Sequence, residues 1–194
     1  MFKVYVVCFD QALASAVTGV IDLFALAGVT WQRLNRAVPT PLFDVKMVSS
    51  EGKAVQWINQ IVLQPHLSFA QATNADLILI PTIGGDIDTA LQHQSKTIEW
   101  LAQQYEQGVD IAANCTGNFM LAQADILNGR HATTHWGYEQ LFRQKFPKVL
   151  LQPEQMIVQD GNVFSAGGGM SWFDLGLLLI ERFAGHDAAI ETAK

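Results

Sequence analysis

Val109-Asp110-Ile111-Ala112-Ala113-Asn114-Cys115-Thr116-Gly117 carries an apolar run straight into a cysteine and two small residues. The residues before the cysteine, 109–114, read as a strand that runs straight into Cys115-Thr116-Gly117. Beyond Gly117 the apolar positions continue at helical spacing to about residue 127, where Asn128-Gly129 supplies a stop. A strand that passes directly into a helix is the repeating unit of a parallel sheet covered by helices.

Working outward, the same alternation recurs. Residues 4–9 form a second buried strand closed by Asp10, and Val17, Val20, Ile21, Phe24 and Ala27 place a helix within residues 15–36, before Pro39-Thr40-Pro41. Residues 43–49 read as a strand, Glu51-Gly52-Lys53 as a turn, and Trp57, Ile58, Ile61 and Leu63 as one or two short strands. Residues 76–81 are a strand that runs into the loop Thr82-Ile83-Gly84-Gly85-Asp86, and residues 97–107 a helix stopped by Gly108. A short strand over 130–135, a helix over 136–146, and a strand pair over 149–165 turning at Asp160-Gly161 follow. Gly167-Gly168-Gly169 then leads to a strongly apolar helix over 171–183, and 186–194 reads as a helix with no cap before the chain stops. The expected fold is one α/β domain over residues 1–194, a doubly wound three-layer sandwich with a mainly parallel central sheet, in which ligands collect at the carboxyl ends of the strands.

Composition narrows the function classes. Apolar residues make up 49% and charged residues 15% of the 194, which excludes disorder. Part of the missing surface charge is replaced by 17 glutamines, and the longest strongly apolar stretch, 175–180, falls far short of the ~20 residues a bilayer requires. A net charge of -6 and a pI near 5.2 oppose binding of phosphate backbones by this chain itself. Two distant cysteines, Cys8 and Cys115, make no disulfide framework, which places the protein in the reducing cytoplasm. Ala14-Ser15-Ala16 resembles a signal-peptidase site, yet Asp10 and Gln11 interrupt the preceding apolar run too early for a leader.

Chemistry concentrates on Cys115. At a strand-to-helix junction its sulfur lies near backbone amides that favour thiolate and can form an oxyanion hole, so a lowered thiol pKa is expected; the other reading is a small buried residue in a tight turn. Gly84 and Gly85 end a neighbouring strand and offer further N–H groups to the same crevice. His135, after Ala132-Thr133-Thr134, is expected at the same edge as an acceptor or ligand-binding group, the other reading being an ordinary helix cap or surface residue, with Trp136 in the pocket wall. Gly167 is read as part of a tight turn that approaches the pocket, Cys8 as a structural thiol, and no histidine spacing suggests a metal site. No cofactor is expected.

Ala112-Ala113-Asn114-Cys115-Thr116-Gly117, Leu121-Ala122, Leu127-Asn128-Gly129-Arg130 and Ala132-Thr133-Thr134-His135-Trp136 together resemble the ThiJ/PfpI superfamily. Ser165-Ala166-Gly167 followed by Asp174-Leu175 and Leu177 is similar to the class I glutamine amidotransferase-like domain at the N-terminus of AraC-family transcriptional regulators. Val17-Thr18-Gly19 with Asp22 and Phe24, and the Pro81 to Gly85 turn, fall in family order. The resemblance implies a flavodoxin-like sandwich, homodimers, a nucleophile-elbow position at Cys115, and a helix-turn-helix domain following this chain, through which alone DNA would be bound. Enzymes of the superfamily, such as isonitrile hydratases, use an acid about three residues before the glycine matching Gly19; that position here is Ala16. Thr116 stands where the protease-like branch has a histidine. Asp10, Asp22, Asp86, Asp88 and Asp174 are the carboxylates available as substitutes. The expected function is therefore a non-catalytic, small-molecule-sensing and dimerising domain whose pocket is lined by Gly84, Gly85, Cys115, Thr116, His135, Trp136 and Gly167. The alternative is a cysteine-dependent hydrolase or isonitrile hydratase-like enzyme using Cys115.

Overall fold

The computed structural model describes every residue, Met1–Lys194. Strand β1 (Phe2–Val7) leads into α1 (Ser15–Leu26) and α2 (Thr30–Leu34). These are two helices where the sequence reads one, because the chain turns at Gly28 with φ +76° and a Cβ there would lie 2.2 Å from the Thr40 carbonyl oxygen. Next come β2 (Phe43–Ser49), the small hairpin β3 (Val55–Gln56) and β4 (Val62–Leu63), the edge strand β5 (Leu67–Ser68), and β6 (Leu77–Ile80). The segment after β6 holds a helix unforeseen in the sequence, α3 (Ile87–His93), started by Asp86, whose carboxylate accepts the Thr89 N–H at 2.8 Å. Then follow α4 (Ser95–Glu106), β7 (Asp110–Asn114), a 3-10 turn over Cys115–Gly117, and α5 (Asn118–Gln123). The expected helix to about 127 ends at Gln123 because Asp125 takes a φ of +59°.

The last third contains β8 (His131–Ala132), a 3-10 turn at Trp136–Tyr138, α6 (Glu139–Lys145), β9 (Leu150–Leu151), β10 (Ile157–Asp160), β11 (Val163–Ala166), α7 (Trp172–Ala184) and α8 (His186–Ala193). Seven strands form the central sheet in the order β10-β11-β7-β6-β1-β2-β5, parallel except for β10. Helices α1 and α7 cover one face, and α3, α4 and α5 pack together on the other, giving the three layers. Val4, Val6, Val7, Leu77, Ile78, Ile111, Ala112 and Ala113 have no exposed surface, as their unbroken apolar runs require of strands covered twice. No helix is long and apolar enough to cross a membrane.

Chain order decides where the crevice lies. From β1 the chain moves outward to β2 and β5, then returns to β6 on the other side of β1, so the connections diverge at the carboxyl ends of β1 and β6. Loop backbone ties that point together: Gly84 N–H donates to the Gln11 carbonyl at 2.8 Å and Leu13 N–H to that of Thr82 at 3.0 Å.

One acid-sensitive clasp holds the far edge. Asp160 accepts the His131 N–H and an Arg130 N–H, each at 2.9 Å, and these two bonds hold its carboxyl below the usual range against the opposing effect of burial. A depressed folded value means the clasp contributes fully above the ordinary carboxyl pKa of about 3.9 and is lost as pH falls through the lower folded value. Asp160→Asn is therefore expected to be less stable than the parent at neutral pH, with the gap closing below about pH 4; melting curves recorded from pH 7 to pH 2.5 check this, and a gap that stays constant would contradict it.

Candidate functional site: the cysteine elbow

Cys115 follows the last residue of β7 and has a φ of +55°. For a side chain with a Cβ this left-handed conformation costs ~1–3 kcal/mol and persists only where neighbours enforce it. Two donors enforce it here. Asn118 Nδ2 and Thr134 Oγ1 both donate to the Cys115 carbonyl, at 3.0 and 3.1 Å, and the same Asn118 amide reaches the carbonyls of Ala113 and Ala166 at 3.3 and 3.2 Å. Gly117 completes the turn by letting it sit against the end of β6, where a Cβ would meet the Pro81 carbonyl oxygen at 2.4 Å.

The elbow is closed. Cys115 is 4% exposed and Thr116 3%, and the Thr116 hydroxyl donates to the Ile83 carbonyl at 2.9 Å. Burial pushes the Cys115 thiol pKa up; the Thr116 N–H and the hydroxyls of Thr116 and Thr82 face the sulfur and oppose that shift without reversing it. This overturns the lowered thiol pKa expected from the sequence. The physical reason is that desolvation of a thiolate outweighs a few neutral hydrogen bonds, and α5, six residues long, starts beyond an intervening 3-10 turn.

No charged side chain faces the sulfur. Ala16 is 2% exposed in α1, and the possible substitute carboxylates have other roles: Asp10 accepts the Gln56 N–H at 2.8 Å, Asp86 caps α3, and Asp88 pairs with Lys145 at 2.5 Å. Asp22 and Asp174 are exposed.

The remaining residues named from sequence divide. Gly167 packs close behind the elbow, a Cβ there lying 3.1 Å from both Thr133 Oγ1 and the Thr134 carbonyl oxygen. Gly84 is held against Gln11, and its N–H, already donated to the Gln11 carbonyl, is not available to an oxyanion. Gly85 sits beside the Gln11 side chain. His135 turns onto its own loop, where Nδ1 accepts the Gly137 N–H at 3.1 Å and the ring stacks on Trp136 at 5.4 Å. Trp136 itself is 75% exposed, so it forms no enclosed wall. A polar cavity of about 690 Å³ at the same sheet edge is lined by Asp10, Gln11, Asp86, His93 and Lys96 among others, and not by Cys115.

Nothing in the sequence pointed to Asn118, and Thr82, Thr134 and Asn114 stood in it only as members of a loop or strand with no role of their own. Asn114 donates to Thr82 Oγ1 at 2.8 Å and to the Gly169 carbonyl at 3.1 Å, and Trp172 lies across Gly19 of α1. Polar residues inside otherwise apolar strands were the available signal, since such residues are buried only when something pairs with them.

Cys8, in the loop after β1, is buried and its thiol is pushed up to about 12 by desolvation. Iodoacetamide at pH 8 is expected to modify Cys115 ahead of Cys8, and both far more slowly than a cysteine in an unfolded peptide; peptide mapping by mass spectrometry gives the two rates, and equal rates would contradict the order.

The DJ-1/PfpI family model matches residues 3–182. The isonitrile hydratase of Pseudomonas putida is 32% identical over 128 residues, which are 66% of this chain and 54% of that protein. The HTH-type transcriptional regulator GbdR of Pseudomonas aeruginosa is 26% identical over 153 residues, 79% of this chain and 41% of the regulator. The chain thus spans about half or less of the length of these curated relatives. Among solved structures, an AraC family transcriptional regulator from Pseudomonas putida superposes with a TM-score of 0.74 at 18% identity, covering 100% of this chain and 98% of that one. Drosophila melanogaster DJ-1beta superposes with a TM-score of 0.81 at 21% identity, covering 99% and 95%. At these identities the superpositions establish the three-layer fold.

Proposed function

This chain belongs to the DJ-1/PfpI family, and from that premise we propose that it is the ligand-sensing and dimerising domain of an AraC-type transcriptional regulator of the cytoplasm. DNA is then contacted only through a helix-turn-helix domain outside these 194 residues. The proposed small-molecule site is the elbow edge, with Cys115, Thr116, Gly84, Gly85 and Gly167 beneath it and His135 and Trp136 at its exposed rim. The observation that carries the non-catalytic reading is the uncharged surroundings of the Cys115 sulfur, with buried Ala16 where enzymatic relatives hold an acid. General acid-base help worth ~10²–10⁴ in rate has no group to supply it. The similarity to HTH-type regulators supports the assignment to a regulator.

A second reading, a cysteine-dependent hydrolase or isonitrile hydratase, is favoured by the left-handed elbow at Cys115 and by the similarity to isonitrile hydratase. Amide, ester, isonitrile and glyoxal substrates incubated with the wild-type chain and with Cys115→Ser separate the two. No turnover is expected; turnover by wild type that disappears in Cys115→Ser would replace the first reading with the second. Light scattering at tens of micromolar is expected to give twice the mass of 21.4 kDa.

A further inference from the structure

At the Cys115 carbonyl the elbow is tied to two neighbouring segments of the chain. Asn118 of α5 is fully buried, and its side-chain amide has two protons but meets three carbonyls: Cys115 at 3.0 Å, Ala166 at the end of β11 at 3.2 Å and Ala113 of β7 at 3.3 Å. A flip would set its oxygen against all three, so the amide has one orientation, and its Oδ1 lies buried without a partner. Thr134 is equally buried. Its single hydroxyl proton goes to the same Cys115 oxygen at 3.1 Å, from the residue immediately before His135 and Trp136. These two side chains hold a residue whose φ is +55°. Released from them, a cysteine returns to negative φ, because nothing intrinsic to a side chain with a Cβ favours the left-handed region.

We propose that Asn118 and Thr134 are positioning residues that latch the elbow shut, and that access to the Cys115 sulfur is set by how often this latch opens. Cys115 is 4% exposed, so a reagent reaches the sulfur only when the elbow moves. A change of φ at residue 115 redirects its Cα–Cβ bond relative to β7, and that is the movement the two donors oppose. Thr134 adds a second consequence. Any displacement of the loop that carries His135 and Trp136 moves the donor that holds the elbow, so the exposed rim and the buried sulfur are mechanically joined. The inference goes beyond the sensing reading and holds equally if the chain proves to be an enzyme.

The test is the ratio of the carboxamidomethylation rates of Cys115 and Cys8 in the intact chain, with iodoacetamide at pH 8 and peptide mapping. Cys8 is 2% exposed and lies outside the latch, so it reports opening of the whole domain, whereas Cys115 also reports opening of the elbow. One neutral hydrogen bond of ordinary strength corresponds to about fivefold in such an opening equilibrium. Thr134→Val, which removes the hydroxyl and keeps the shape, is therefore expected to raise the ratio by about fivefold. Thr134→Ser keeps the donor and is expected to restore the wild-type ratio. Asn118→Leu removes the other donor and is expected to raise the ratio by a similar factor; it carries the test alone if Thr134→Val fails to fold. Thr133→Val is the control, because Thr133 is as fully buried and its hydroxyl serves the Gln155 carbonyl at 3.0 Å, so the ratio is expected to stay where it is. A merely structural role for the two residues would speed both cysteines together at a constant ratio, and that result would overturn the proposal. So would a rise in Thr133→Val equal to that in Thr134→Val.

Discussion

Replacing Phe119 by alanine is expected to lower the stability of the domain by about 4 kcal/mol, the range found for deleting a fully buried aromatic ring. Phe119 lies in the second position of α5, directly after the elbow, and has no exposed surface. Its ring meets Phe142 edge-on at 4.8 Å and lies 6.0 Å from Phe146 and 6.2 Å from Tyr138. One ring thus joins α5 to α6 and to the loop that carries His135. Alanine would remove the centre of that cluster, and Phe142, itself fully buried, fills the space only by moving α6. For a domain of this length the loss corresponds to roughly 10 °C in melting temperature. Urea titration of the variant against the parent measures it, and a loss below about 1 kcal/mol would show that the cluster repacks freely.

Gly117→Ala is expected to cost about 3 kcal/mol although it adds a single methyl group. The added carbon would lie 2.4 Å from the Pro81 carbonyl oxygen and 3.1 Å from that of Ile80. Both are backbone atoms at the end of β6, so no side chain can swing aside. The turn must lift from β6, which pulls on the Thr116 bond to Ile83 and on the Asn114 bond to Thr82. The variant should therefore lose stability and disturb the environment of Cys115 together. Gly169→Ala is the control: a Cβ there meets nothing within 4 Å and the φ is unexceptional, so a change within about 0.5 kcal/mol is expected. Equal effects of the two substitutions would remove close packing as the reason for glycine at 117.

Helix and strand alternation was legible in the apolar periodicity because burial on one face or two leaves its mark on neighbouring residues of the same segment. β1, β2, β6, β7 and α7 lie within two residues of their expected bounds at either end. Where one residue must meet another far along the chain, the sequence was silent. The helix break at Gly28 depends on the Thr40 carbonyl, and α3 on packing that a loop rich in glycine and aspartate does not advertise.

The same division runs through the elbow. From the residues alone came the family resemblance, the place of Cys115 at a strand-to-helix junction, and the alanine where an acid would stand. The tertiary structure decided the burial of the Cys115 thiol and the upward direction of its pKa, the turn of His135 onto its own loop with Trp136 exposed, and the pairing of Asn114 with Thr82. A sequence records which groups exist; solvent exclusion around a sulfur and the destination of a hydroxyl proton depend on atoms brought together from β6, β7 and the loop before α7, and those exist as neighbours only after folding.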